Sequence, residues 1–245
     1  MDPERELEFA TRDRKDIYEY VEREGRIDYE TARRALQMDE RAFGHHVTIL
    51  QRDGVLERDG DDLLVAFESG DVEEFDDGGV RYAIRQARQE DLTGLVGVMR
   101  QAVSKNRYIE AETVADIVDH ERVLLRHNDL ESRMFFVATV DDDVVGWVNV
   151  SHPELEKLAH TAELTVGVLE EYRGHGIGGR LLQRGVDWAA EHGYERLYNS
   201  VPSTNGDAVD FLESRGWETE AVREDHYKID DEYVDEVMLA LDLRD

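Results

Sequence analysis

The stretch EEYRGHGIGGRLL, Glu170–Leu182, places four glycines, Gly174, Gly176, Gly178 and Gly179, within six residues and then enters an apolar helical pattern. Glycines let a backbone come close to a ligand, and the free N–H groups that open a helix attract anions. The loop therefore reads as a phosphate cradle, and its flanks decide which phosphate it holds. Gly174, Gly176 and Gly179 satisfy G-x-G-x-x-G. A dinucleotide fold, however, runs its first strand directly into the first glycine and carries an acidic residue about 20 positions on. Here LEEYR separates Val168 from Gly174, and the next strand pattern ends in Asn199, Ser200 and Val201 with no carboxylate. A nucleoside-triphosphate loop needs Lys before Ser or Thr, whereas this one continues through Arg180 to Leu181.

The surrounding 245-residue chain is long enough for one sizeable core and a smaller module. It carries 29 Lys and Arg against 58 Asp and Glu, a formal net charge of -29, yet 40% of its residues are hydrophobic, so a packed core is expected rather than wholesale disorder. Only Lys15, Lys105, Lys157 and Lys228 are lysines. The acidic, arginine-dominated balance resembles proteins of salt-accumulating haloarchaea, whose molar salt screens self-repulsion beyond about 3 Å. The absence of cysteine excludes disulfides, thiolate metal sites and a cysteine nucleophile, and no metal-ligand spacing is present; His152 and His160 stand isolated. The charged start MDPERELEFA and the lack of an apolar run near the ~20 residues that span a bilayer lead to the expectation of a cytoplasmic protein.

Glu68–Gly79, ESGDVEEFDDGG, is acidic and without apolar periodicity and reads as a linker, dividing the chain into residues 1–75 and 80–245. In the first part Ile17 and Val21, then Ala32 and Leu36, then Phe43, Val47 and Leu50 mark three short helices, followed by strand-like VLER and LLVAF around an Asp59-Gly60 turn. That order resembles a winged helix-turn-helix. In the second part YAIRQA reads as a strand, and Leu92, Leu95, Val96, Met99 and Val103 share a helical face. A second helix is expected over Thr113–Leu125. Strands RMFFVATV, VVGWVNV and AELTVGV lead into the loop and its helix; strand RLYNSV, a helix over Asn205–Ser214 and the pair HYKID and EVMLALDL complete the chain. The fold class is α+β.

Arg173-Gly174-His175-Gly176-Ile177-Gly178 fits R-x-x-G-x-G, which resembles the pyrophosphate loop of the GNAT superfamily of acyl-CoA-dependent N-acetyltransferases. The flanks extend the match: a strand before the loop, a long helix after it, then SVPSTNGDAVDFLESRGW, similar to the family's strand, Asn, helix and Gly-aromatic ending, and EYVDEVMLALDL at the close. The resemblance covers residues 80–245 and implies a mixed, mostly antiparallel sheet flanked by helices. It implies acetyl-CoA as co-substrate and direct attack by a primary amine in a ternary complex. It also implies that N–H groups of Arg173, Gly174, His175, Gly176, Ile177, Gly178 and Gly179 cradle the pyrophosphate, and that backbone groups of Val166 and Val168 with the side chain of Asn205 hold the pantetheine arm. Asn205 is equally a favoured helix N-cap.

Glu163 sits where several family members carry a general base, and strand alternation puts it with Thr165 and Gly167 on the face opposite Leu164, Val166 and Val168. A solvated strand carboxylate is the competing reading. The family's usual acid is a Tyr seven positions after the helix-starting Asn, where this chain has Leu212. Tyr227 is the substitute named here, beside Tyr198 and water. Arg100, Lys105 and Arg107 border an acid-free helix and loop and could favour an acceptor with a carboxylate. In the first module Arg41, His45, Thr48 and Arg52 line the third helix, with Arg33 and Arg34 nearby, as in a DNA-reading helix. Protein binding or homodimerisation fits that module equally. Two functions compete: an acetyltransferase carrying a targeting module, and a DNA-binding regulator whose second domain senses acyl-CoA.

Overall fold

The computed structural model describes residues 11–52, 55–66, 72–103, 109–121, 126–127, 132–152 and 156–244. Its first unit runs α1 (Arg12–Glu24), β1 (Arg26–Asp28), α2 (Tyr29–Ala35), α3 (Glu40–Arg52), β2 (Leu56–Asp59) and β3 (Asp62–Val65). Each helix end has a local cause. Thr11 accepts from Arg14 N and Asp28 from Thr31 N, while Gly25, at φ 73°, returns its N–H to Val21 O and ends α1. Ile17, Val21, Ala32, Phe43, Val47, Leu50, Leu56 and Leu63 form the buried core of this unit. Strand β1 falls on RID, too short to alternate, and pairs antiparallel with β3 in a sheet ordered β1-β3-β2.

The second unit begins inside the segment read as a linker. Glu73–Asp77 forms β4, paired antiparallel with β5 (Val80–Gln86) from Glu73↔Ile84 to Asp77↔Val80. The side chains of β4 are exposed apart from the half-buried Phe75, as suits a sheet edge, so the strand shows no apolar alternation in sequence. Then follow α4 (Leu92–Val103), α5 (Ile109–Glu121), β6 (Arg126–His127), β7 (Ser132–Val140), β8 (Asp143–His152), β9 (Thr161–Val168), α6 (Ile177–Glu191), β10 (Arg196–Pro202), α7 (Gly206–Glu213), β11 (Glu218–Ile229) and β12 (Glu232–Asp242). Helix α5 starts four residues before the expected Thr113, because Ala111 and Ala115 both turn inward as core residues.

Nine strands form one sheet in the order β11-β12-β10-β9-β8-β7-β5-β4, with β6 beside β7. Among the described residues only β9 and β10 run parallel. One face packs α6 and α7 over Phe136, Val148, Leu164, Leu197 and Leu239; the other packs α4 and α5 over Phe135, Val137 and Trp147. The end of β5 is pinned to the start of α4 by a bidentate pair, Arg85 Nη1 and Nη2 to Asp91 at 2.6 and 2.9 Å, with Arg88 N donating to the same carboxylate at 2.7 Å. The Asp91 hydrogen bonds hold the Arg85 guanidinium above its usual pKa. At the end of α6, His192 stacks on Trp188 at 4.2 Å and its Nδ1 lies 2.7 Å from Trp188 O. Burial pushes its pKa down.

Candidate active site

Strands β9 and β10 pair in register only over Thr161–Glu163 with Arg196–Tyr198, and then part. Asn199 Nδ2 bridges the start of the gap by donating to Leu164 O. Backbone groups alternate edges along a strand. Since Leu164 O faces β10, Val166 and Val168 turn the same edge into the opening. Val168 O accepts from Arg173 Nε at 3.1 Å, which ties the strand to the loop after it.

The glycine loop closes this opening at one end. Gly174 and Gly176 hold φ of 84° and 72°, left-handed values that favour glycine. Gly176 stands at the N-cap of α6 with no side-chain cap, and the first loop-side helical bond is Arg180 N to Gly176 O at 3.1 Å. The N–H groups of Ile177, Gly178 and Gly179 therefore have no intrahelical partner. They open a 15-residue helix whose dipole adds positive potential at that end. A cleft of about 420 Å3 runs from here through the split, lined by Thr165 to Val168 and Tyr172 to Gly174 on one side and by Gly176 to Gly179, Asn199 to Pro202 and Asn205 on the others. It reaches Ala111 of α5, so it opens toward both faces of the sheet. This donor set fits a pyrophosphate: three orphan N–H groups, two left-handed glycines and no side chain to obstruct them.

Most cofactor-side residues expected from sequence meet in this cleft: Val166, Val168, Arg173, Gly174, Gly176, Ile177, Gly178, Gly179 and Asn205. Asn205 is buried at the start of α7 and its side chain makes no capping bond. His175 does not line the cleft. Its Nδ1 lies 3.2 Å from Asp77 O, and its carbonyl accepts from Tyr82 Oη at 3.2 Å, so the β4–β5 hairpin braces the back of the loop. Arg180 likewise leaves the cleft and lies 4.0 Å over the Phe75 ring.

The catalytic-side residues are placed differently. Glu163 is exposed, outside the cleft lining, one pleat from Thr165 on the same face. Tyr227 is half-buried on β11, with its hydroxyl 3.3 Å from Glu236 Oε1. Glu236 is buried and also accepts from Arg223 at 3.0 Å. Leu212 is buried at the cleft wall. Arg100 is engaged by Asp119 at 2.7 Å and Asp116 at 3.6 Å, which turns it to α5, and Lys105 and Arg107 lie outside the described residues. His152 Nδ1 lies 3.4 Å from Thr161 O, and His160 is exposed.

Several lining residues were not singled out from sequence, Phe211 and Arg215 among them. Phe211 and Arg215 face the cleft from α7 and the turn after it. Arg215 stacks on Phe211 at 3.8 Å and donates to Phe211 O at 3.0 Å. Its Nη2 would lie 2.9 Å from a Cβ on Gly179, so a side chain there would push the guanidinium away from the helix start. The signal available was its place just before the Gly-aromatic pair Gly216-Trp217.

The model of the acetyltransferase (GNAT) family matches residues 98–217. An N-alpha-acetyltransferase of Sulfurisphaera tokodaii is 31% identical over 166 residues, covering 63% of this chain and 90% of the relative. The chain belongs to the GNAT acetyltransferase family. It is an acyl-CoA-dependent N-acetyltransferase, and acetyl-CoA is the family's co-substrate. The fold agrees with that of yncA from Salmonella typhimurium, solved with its cofactor acetyl-CoA, at a TM-score of 0.56 and 19% identity over 67% of this chain and 95% of that one. A GNAT-family acetyltransferase from Streptococcus pneumoniae superposes with a TM-score of 0.54 and 20% identity over 65% of this chain and 98% of its own.

Proposed function

We propose that this GNAT enzyme transfers the acetyl group of acetyl-CoA to the α-amino group of a polypeptide in a ternary complex. The observation that carries the reading is the cleft itself, where the open start of α6 and the free edge of β9 face one another across the split. The polypeptide acceptor is supported by the 31% identity to an N-alpha-acetyltransferase.

In this reading Ile177, Gly178 and Gly179 N–H, with Gly174 and Gly176 shaping the turn and Arg173 and Arg215 adding charge, hold the pyrophosphate. His175 serves through its backbone bond to Tyr82. Val166 and Val168 bind the pantetheine amides through their backbone, and Asn205 bonds the same arm. The acceptor nitrogen forms a bond to the acetyl carbon as that carbon's bond to sulfur breaks. The nitrogen's proton passes to Glu163, directly or through one water, and coenzyme A departs as a thiolate. A thiol has a reference pKa of about 8.5, so the sulfur leaves without an obligatory proton donor; Tyr227 could donate only by leaving Glu236.

We assign the first unit, from α1 to β3, as a winged-helix module. Its α3 exposes Arg41, His45 and Thr48 on one face. Arg33 is committed to Glu30 at 2.8 Å and to Met38 O at 3.0 Å, which leaves fewer cations for a phosphate backbone than the sequence offers. The net charge of -29 and the scarcity of lysine support an enzyme working in molar salt. The deciding experiment incubates the full chain with acetyl-CoA and a peptide library in molar KCl and reads mass shifts. A gain of one acetyl group at free peptide N-termini is expected, and transfer to none of the peptides would overturn the reading.

A further inference from the structure

Residues directly opposite one another in adjacent strands point to the same face. Trp147 pairs with Gly167, Asn149 with Thr165 and Ser151 with Glu163, and Trp147 belongs to the core under α4 and α5. Asn149 and Thr165 therefore stand side by side on the α5 face, Thr165 at the split between β9 and β10 and Asn149 one strand behind it. Asn149 is 1% exposed, and its Oδ1 has no hydrogen-bond partner among the described residues. Thr165 lines the cleft, and its Oγ1 is likewise buried without a partner among the described residues. Two unpaired buried oxygens on neighbouring strands are costly, because each has given up water for nothing within the fold. Such groups persist where a ligand completes them.

We propose that Asn149 Oδ1 and Thr165 Oγ1 form the acceptor-amine subsite, holding the attacking nitrogen by its N–H bonds so that its lone pair faces the split. The inference rests on the polypeptide-acceptor reading above and names the residues that would select its α-amine. Both groups are uncharged, so they match an uncharged amine and offer no counter-ion to an ammonium. An α-amino group has a pKa of about 7.7–8.0 against about 10.4 for lysine, so near neutral pH its uncharged form is several hundred times more populated. The subsite accordingly selects polypeptide α-amines over lysine side chains. Glu163, one pleat further along the same face, is placed to take the proton released after bond formation.

The test uses the full-length protein with Asn149→Leu and Thr165→Val, singly and together, which keep side-chain size while removing the unpaired oxygens. Thr165→Ser is the conservative control. The expected result for the double variant is a KM for peptide raised tenfold or more, acetyl-CoA affinity by calorimetry unchanged, and a melting temperature equal to or about 2–4 °C above wild type. Thr165→Ser retains the wild-type KM. A purely structural role gives the opposite stability outcome: a lowered melting temperature overturns the proposal, whatever the activity. So does a wild-type peptide KM in the double variant, or wild-type preference for lysine in a peptide carrying both amines. A wild-type enzyme that acetylates no peptide counts instead against the polypeptide-acceptor reading, and the melting temperatures still decide whether the two oxygens are unpaired.

Discussion

Gly167→Ala is the sharpest test of how the site is built. A Cβ at this position would lie 2.2 Å from Trp147 Cη2 and 2.6 Å from Cζ2 and Cζ3. Ordinary carbon contacts lie at about 3.5–4.0 Å, so the methyl overlaps three ring carbons by about 1 Å or more. The indole cannot swing away, because Trp147 is fully buried among Phe135, Val137, Leu95 and Met99. Overpacking of a rigid core costs about 1–3 kcal/mol, and a clash with an immobile ring belongs at the top of that range. At about 2–4 °C per kcal/mol for a chain of this size, the melting temperature should fall by about 6–12 °C. Gly167 also lines the cleft beside Thr165, so the displaced strand should lose peptide turnover. Trp147→Phe removes the three clashing carbons. Added to Gly167→Ala, it should recover part of the loss, a coupling of about 1 kcal/mol or more. Thermal unfolding of wild type, both single variants and the double variant measures it. An unshifted melt for Gly167→Ala, or strictly additive effects, would refute the placement of the indole over the strand.

Three further outcomes follow from the same geometry. Gly176→Asp should abolish acetyl-CoA binding in calorimetric titration while the protein still melts cooperatively. It forces a side chain onto a φ of 72°, sets a charge at the helix start and brings its Cβ to 3.3 Å from Asp77 Oδ2. Glu163→Gln should lower kcat by about 10²-fold and erase the acidic limb of the pH-rate profile; unchanged rates across pH would return that role to water. His192 has a folded pKa held below its unfolded value of about 6.5 by burial, so it contributes stability above that value that is lost as pH falls through the folded pKa. His192→Phe keeps the stack on Trp188 and should flatten the decline in melting temperature between about pH 7 and 5; an identical slope in the variant would discount the histidine.

Most of the fold was legible because its elements carry strong periodicity. Leu92, Leu95, Val96 and Met99 are all buried on α4, and the alternation of β9 puts Leu164, Val166 and Val168 against one core and Trp147's neighbour Gly167 against the other. Edge strands were the weak point. Every residue of β11 from Glu218 to His226 is exposed, so nothing in that stretch alternates, and only its last residues were read as strand. The same holds for β4, whose acidic composition imitates a linker. At an edge the pairing is done by backbone alone, and composition reports solvent rather than structure.

The two halves of the site differ in legibility for a chemical reason. A pyrophosphate is held by backbone N–H groups, which requires consecutive small residues at a helix start, and that requirement is written in one run from Arg173 to Gly179. Even there, the brace behind the loop comes from Asp77 and Tyr82, about a hundred positions away, through bonds that no local pattern records. The acceptor side has no such run. Asn149 and Thr165 become a pair only because β8 and β9 are antiparallel in one register, and a shift of a single residue would send both to the opposite face. Their proposed role lies in what they lack, a partner among the described residues, and that is a property of three-dimensional packing. Sequence therefore exposes the cofactor half of the proposed reaction, while the acceptor half proposed above depends on register and on polar atoms left unpaired among the described residues.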